Sequence, residues 1–231
     1  MTSPYTEVTL AIDTAAGCSA GLAGAGEPTT RTLPDTRRHA EDLMGSILAL
    51  LGDRALGLGD VTRIGVGLGP GPFTGLRVGI VTAHILGVAL GVPVKGVCSL
   101  DVIAAAVAAT GETREFLAVT DARRHEVYWA HYSSRDGRAV RVGEPAVGDP
   151  AGLPGLPVAG PGVARYPDML GVRALPGAPA TVDAGVLAAC LDDLPDAGTE
   201  PLYLRKPDAE LPGTRKSVLA SGLRLPGMAP A

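Results

Sequence analysis

One pattern constrains this chain more than any other, because it occurs twice. Val8 to Ile12 is an apolar run that ends at Asp13; Thr14 to Gly17 turns the chain, and Cys18 to Ala23 returns, so the pair reads as a hairpin. Thr29 to Leu33 makes a third, shorter strand. The series restarts at Glu115 to Asp121, again a strand ending in Asp, with Glu126 to Ser133 as its hairpin partner and Arg138 to Glu144 as the third strand. After the first triplet, His39 to Leu51 places Leu43, Ile47, Leu50 and Leu51 at helical spacing. A strand follows over Arg63 to Leu68, then a helix from about Gly75 to Leu90 that Gly91-Val-Pro93 stops, and a strand over Val94 to Val97. Ser99 has the hydroxyl to cap a helix over Leu100 to Ala109. After the second triplet come a Pro/Gly-rich stretch over 145–162, a short strand at Pro157 to Ala159 and a helix over Ala184 to Leu194. Three strands followed by α/β elements, twice over, predict an α/β fold of two duplicated lobes. We divide the chain at 1–105, 106–205 and 206–231; periodicity ceases at Lys206, and the scattered Pro207, Pro212, Gly213, Pro226 and Gly227 predict a disordered tail that is dispensable for folding.

Composition narrows the function. Lys and Arg number 20 against 24 Asp and Glu, a net charge of −4, which argues against self-sufficient binding to a phosphate backbone. Aromatic residues are 3% of the chain, too few for a row of base-stacking platforms, so the core must be built from Val, Leu, Ile and Ala. Asn and Gln are absent, and Lys occurs at 95, 206 and 216 alone, which reads as coding bias and discounts any single Gly or Pro as a signal. Cys18, Cys98 and Cys190 are odd in number and far apart, so small buried residues are the reading, rather than a disulfide framework or a thiolate metal site. Met-Thr-Ser-Pro-Tyr shows no basic stretch before an apolar run, and Val78 to Val94 carries His84, glycines and Pro93. A cytoplasmic chain with a buried helix and strand is therefore expected, with no membrane span.

The sharpest string is Gly67-Leu-Gly-Pro-Gly-Pro-Phe-Thr-Gly-Leu-Arg-Val-Gly79. It joins a strand to a helix, where free N–H groups favour an anion. It lacks the Gly-Lys-Ser/Thr of a P-loop, and Pro72 stands where a dinucleotide fingerprint needs its third glycine, so a tight turn competes with a phosphate cradle. No Gly-x-Ser-x-Gly elbow is present. His125-Glu126 is followed by Trp129 where a zincin needs His, and His39 by Leu43 where a helical metal pair needs a second His. Asp13 and Asp121 end equivalent strands; each either closes a turn or, as a carboxylate at a nucleotide site, holds a metal or orients water. Arg123-Arg124-His125 is a basic cluster, read as a solvated turn.

As a string, the glycine segment resembles the Gly-Pro-Gly-Ser-Phe-Thr-Gly-Leu-Arg-Ile-Gly motif of the TsaB (YeaZ) family. Other pieces follow in the same order: Ala11-Ile-Asp-Thr14, His39-Ala-Glu-Asp-Leu43, Gly96-Val-Cys-Ser-Leu100, Asp121-Ala-Arg123 with Glu126-Val-Tyr128, and Pro201-Leu-Tyr-Leu-Arg205. The resemblance covers about residues 8–205. Pro72 and Ala15 depart from it, each standing where the family has Ser.

The resemblance implies the duplicated two-lobed actin-like fold shared with sugar kinases and Hsp70. It implies a non-catalytic subunit in forming N6-threonylcarbamoyladenosine at position 37 of tRNA. Such a subunit docks on TsaD and acts with TsaE, uses no firmly bound cofactor of its own, and reaches tRNA only through the complex; ATP is used by the complex, and the transfer chemistry occurs on TsaD. The alternative is an ATP-dependent phosphotransferase of the same fold, with Asp13 holding the metal; Asp13 and Thr14 are the candidate nucleotide-binding residues. A metallopeptidase is a third reading, against which Leu43 speaks. One expectation concerns the partner face. Gly75, Gly79, Ala83, Gly87 and Gly91 recur every four residues along the helix after the glycine loop, a stripe that lets another backbone approach. Either the stripe packs on the chain's own sheet or on the His39 to Leu51 helix, or, with His39, Leu43 and Ile47 of that helix, it packs against TsaD or a second copy in a homodimer. The second is the expectation that the resemblance implies.

Overall fold

The computed structural model describes residues 7–33 and 39–205, with side chains in the first helix described from Asp42 onward; the 206–231 tail and the His39 side chain lie outside the described residues. Its centre is β1 (Thr9–Asp13), buried at every position because both faces of the sheet are covered. Strand β2 (Cys18–Ala23) pairs with it antiparallel and carries β3 (Thr29–Leu33) on its far side. On the other side of β1, β4 (Arg63–Gly67) pairs parallel, and β5 (Val94–Val97) pairs parallel with β4, giving the order β3-β2-β1-β4-β5. The second sheet has β6 (Phe116–Asp121) at its heart, β7 (Val127–Arg135) and β8 (Arg138–Gly148) antiparallel on one side, and β9 (Val158–Ala159) parallel on the other. Its order, β8-β7-β6-β9, repeats β3-β2-β1-β4 strand for strand. The duplication read from the sequence is therefore the architecture: two lobes of the actin-like fold.

Alternation along the strands assigns the helices to the faces. Leu10 and Ile12 point to one side of the first sheet, where α1 (His39–Gly52) and α2 (Phe73–Leu90) cover them with Leu43, Ile47, Leu51, Leu76 and Ile80. Each such aliphatic side chain contributes roughly 1.5–3 kcal/mol by leaving water. Ala11 points to the other side, into a core shared with Val97, Val102 of α3 (Ser99–Ala109), Phe116 and Ala130 of the second sheet, and Leu187 of α6 (Ala184–Ala189). The division at residue 105 thus cuts through α3, and α6 crosses back to lie on the first sheet. Its approach depends on Gly21, where a Cβ would overlap the Ala184 backbone. Asp183 caps α6 by accepting the Gly185 and Val186 amides at 2.8 and 3.2 Å, and Thr30 of β3 bonds to the same carboxylate.

Several boundaries differ from expectation, each for a local reason. Helix α2 starts at Phe73 because the Pro72 carbonyl accepts the first helical bond, from Leu76, at 3.0 Å; it ends at Gly91, whose φ of 67° permits the left-handed turn. Helix α6 stops at Ala189, short of Leu194. Asp192 and Asp193 are unfavourable at a helix C-terminus; they pair instead with Arg63 and Arg138, at 2.7 and 2.6 Å. Strand β8 runs on to Gly148 because a register shift beside Trp129 and His131 lets it resume pairing. In the second lobe, the helical segment after β9 is reduced to α4 (Gly162–Arg165) and α5 (Pro167–Leu170), separated by Tyr166 with Pro167 at the start of the second. After α6 the chain passes along the free edge of β5, where Ala197 N–H donates to Gly96 at 2.9 Å. It then reaches the loop after β4, where Leu202 N–H donates to Leu68 at 2.8 Å.

Candidate functional site

Two places merit description: the cradle at the end of β1 and the outward face of α2. At the cradle, Asp13 Oδ1 accepts the Ala15 amide at 2.8 Å and Oδ2 accepts the Ser99 hydroxyl at 2.5 Å. Ser99 Oγ in turn accepts the Gly69 amide at 3.2 Å, and the Ser99 amide donates to the Gly69 carbonyl at 2.8 Å. The loop after β4 is thereby tied to the ends of β1 and α3. Gly67 makes room for this, since a Cβ there would overlap Asp13 Oδ2. Ser99 is not the helix cap expected of it. Cys98 occupies the cap position without a side-chain bond, because the Ser99 hydroxyl is turned to Asp13. Burial raises the Asp13 pKa to about 6, against the lowering effect of the Ser99 and Ala15 hydrogen bonds.

Thr14, also buried, accepts the Gly79 amide of α2 on Oγ1 at 3.2 Å. Asp13 and Thr14 were the expected nucleotide residues. The structure gives both side chains internal partners and 2% exposure, so neither is presented to a ligand. That geometry lends no support to the nucleotide assignment or to a metal-holding role for Asp13. Among the described residues, no group of three or more His, Cys, Asp or Glu side chains is placed to hold a metal ion. The two departures from the family motif are also accounted for. Ala15 needs no hydroxyl for its amide to reach Asp13; its side chain joins the core, and its backbone lies close to Gly71. Pro72 takes the cap position of α2 through its carbonyl alone.

Asp121 repeats the turn in the second lobe. Its Oδ1 accepts the Arg123 amide at 2.9 Å and the Tyr166 hydroxyl at 3.1 Å. Arg123, Arg124 and His125 follow with φ of 64°, 51° and 62°, three consecutive left-handed residues in the β6–β7 turn. Gly160, like Gly67, permits close packing, since a Cβ there would lie 2.5 Å from the Val119 carbonyl oxygen.

The small-residue stripe of α2 faces inward. A Cβ on Gly79 would overlap Thr14 Oγ1 and one on Gly87 would overlap Val94; one on Gly75 would sit 3.1 Å from the Thr14 carbonyl oxygen, and Ala83 is fully buried. Leu43 and Ile47 of α1 enter the same core. The expectation that Gly75, Gly79, Ala83, Gly87, Leu43 and Ile47 meet a partner is therefore corrected. The first of the two readings of the stripe holds, because the chain's own β1 and β5 need close approach.

The sequence reading passed over the opposite face. Val81, Ile85 and Val88 lie 52%, 62% and 86% exposed, and Leu48 of α1 adds another exposed aliphatic group at 50%. Toward the start of α2, Phe73, Thr74, Arg77, Val78, Val81 and Thr82 line a shallow depression of about 410 Å³. Tyr203, carried there by the chain's passage along β5, packs on Phe73 in a tilted pair with ring centroids 5.1 Å apart, and the Arg77 guanidinium lies 3.7 Å from the Phe73 centroid. A signal was available. Helix α2 has the length and apolarity of a membrane span, and a helix apolar all round must be covered on more than one side.

Comparison with known proteins fits this geometry. The family model for TsaD, tRNA N6-adenosine threonylcarbamoyltransferase, matches residues 34–175. An uncharacterised protein of Mycobacterium tuberculosis is 46% identical over 78% of this chain and 81% of its own length. One from Mycobacterium leprae is 44% identical over 88% of this chain, which corresponds to 56% of that protein's length. The tRNA threonylcarbamoyladenosine biosynthesis protein TsaB of Escherichia coli is 35% identical over 58% of each chain. Among solved structures, YeaZ of Pseudomonas aeruginosa superposes with a TM-score of 0.70 at 29% identity, covering 86% of this chain and all of the other. Two sheets of one strand order, joined through α3 and α6, define a protein of the two-lobed actin-like class. Within that class, the chain belongs to the TsaB (YeaZ) family.

Proposed function

We propose that this chain is a non-catalytic subunit of the assembly that makes N6-threonylcarbamoyladenosine in tRNA, and that it docks on TsaD through the outward face of α2. The observation that carries this reading is the uncovered aliphatic row Val81, Ile85 and Val88 on a helix whose other side is already committed to the core. Leaving such a row in water forgoes the apolar burial that drives association, and its spacing suits a facing helix. The name carried by the Escherichia coli relative supplies the process. The sealed Asp13 carboxylate supports a partner role over a phosphotransferase role. In this reading TsaE acts with the pair, ATP is used by the assembly, a second copy of the chain takes the same face when TsaD is absent, and the chain works in the cytoplasm. The net charge of −4 suits a subunit that meets tRNA only through its partners. Co-purification with TsaD, followed by a transfer assay with each subunit omitted in turn, tests the proposal. Transfer that needs both supports it; full transfer by TsaD and TsaE alone overturns it.

A further inference from the structure

The depression at the start of α2 holds a charge that the chain itself leaves unmatched. Arg77 is exposed, yet its guanidinium is fixed in place: it lies 3.7 Å from the Phe73 ring centroid, and its Nε donates to the Tyr203 hydroxyl at 3.3 Å. Among the described residues, no carboxylate pairs with it, and its Nη1 and Nη2 have no acceptor. Arg31, Arg63, Arg114, Arg138 and Arg141, by contrast, each meet a carboxylate at 2.6 to 3.1 Å. Helix α2 offers none, since no Asp or Glu occurs between Phe73 and Leu90.

A mobile surface arginine loses rotamer freedom when it binds; one already fixed by a ring and a hydroxyl has lost it on folding, so an ion pair formed there costs less. Covering Arg77 with a partner that brings no carboxylate would strand a charge that arginine cannot shed. Arg77 and Phe73 line the depression together with Val81, the first of the exposed row Val81, Ile85 and Val88, so one surface runs from the charge to the apolar row. Arginine and aromatic side chains beside an aliphatic patch are the composition found where protein interfaces concentrate their binding energy.

Resting on the docking reading above, we propose that Arg77 selects the partner: TsaD docks with a helix that sets an Asp or Glu carboxylate on the free Nη1 and Nη2 edge of Arg77 and apolar side chains along Val81, Ile85 and Val88. A second copy does not meet this demand, because α2 set against α2 brings no carboxylate to Arg77. The arginine thus favours TsaD over self-association on the same face.

Calorimetric titration of the full chain with TsaD at low and high salt tests it, alongside sedimentation of the chain alone. Arg77→Met keeps the aliphatic stem over Phe73 and removes the charge. It is expected to weaken TsaD binding by about tenfold or more, to flatten the salt dependence seen with the parent, and to leave self-association unchanged. Arg77→Lys keeps the charge without the fork; it is expected to fall between the two, and it decides the matter if melting shows that Arg77→Met fails to fold. TsaD binding unchanged in Arg77→Met but abolished in Ile85→Arg overturns this proposal and leaves the docking reading standing; binding unchanged in both overturns the docking reading and this one with it. Self-association weakened as much as TsaD binding assigns Arg77 to a second copy. TsaD binding that tightens in Arg77→Met assigns it to a competing carboxylate of the chain's own Asp208 or Glu210. Either of these results overturns the proposal.

Discussion

The Ser99 hydroxyl donates to the Asp13 carboxylate at 2.5 Å, joining the first residue of α3 to the last residue of β1 across 86 positions of sequence. The carboxylate is buried, and burial raises its pKa to about 6 from 3.8. Between those values the folded chain binds more protons at this site than the unfolded chain, so its contribution to stability falls as pH rises from about 4 to 6 and is lowest above 6. The shift corresponds to a cost of about 3 kcal/mol at neutral pH. Asp13→Asn removes the titration. In urea unfolding between pH 4 and 7, the variant's stability relative to the parent should rise with pH over this window. A constant difference would show that Asp13 ionises normally.

Asp13→Ala has a different consequence. It leaves the Ala15 amide and the Ser99 hydroxyl without their acceptor, and a buried unmade donor costs about 1–3 kcal/mol. The alanine variant should therefore be less stable than the asparagine variant at pH 7, as judged by denaturant midpoints. Equal midpoints would mean that the cradle bonds add nothing.

Gly79→Leu should unfold or strongly destabilise the isolated chain, since even a Cβ at this position overlaps Thr14. Overpacking of this kind typically costs 1–3 kcal/mol, occasionally more. Ile47→Ala should cost about 2–5 kcal/mol through the cavity it opens beneath the first sheet. Thermal melting measures both. Unchanged melting of Gly79→Leu would return the stripe to the surface.

What could be read from the sequence, and what could not, follows from the range of the interactions involved. The two strand triplets were legible because an apolar run ending in Asp is a local pattern, and Asp13 and Asp121 each bond to the amide two residues on. The role of Ser99 was not legible. Its position before an apolar helix fits a cap, and only the tertiary fold brings Asp13 within reach. The orientation of α2 was ambiguous because Gly79 and Val81 lie on opposite sides of a helix that is mostly apolar. Which side meets the sheet is decided by Thr14, 65 positions from Gly79, and by Val94 of the strand that follows the helix, which meets Gly87.

Tyr203→Ala should remove the tilted ring contact with Phe73 and the hydrogen bond that the Arg77 Nε donates to the Tyr203 hydroxyl at 3.3 Å. The expected loss is about 0.5–1.5 kcal/mol from the aromatic pair. If the α2 face docks, affinity for TsaD falls as well, because the wall of the depression is disordered. Melting and titration of the same variant separate the two effects, and unchanged affinity would place Tyr203 outside the docking surface.

The central claim is that the outward row of α2 is a docking surface and the inward stripe is core. Ile85→Arg tests it most directly, because Ile85 is 62% exposed and the substitution adds a charge on the outward face of α2. Sedimentation and TsaD pull-down should show assembly lost, with the melting temperature of the isolated chain unchanged. Assembly at wild-type affinity with Ile85→Arg would contradict the claim.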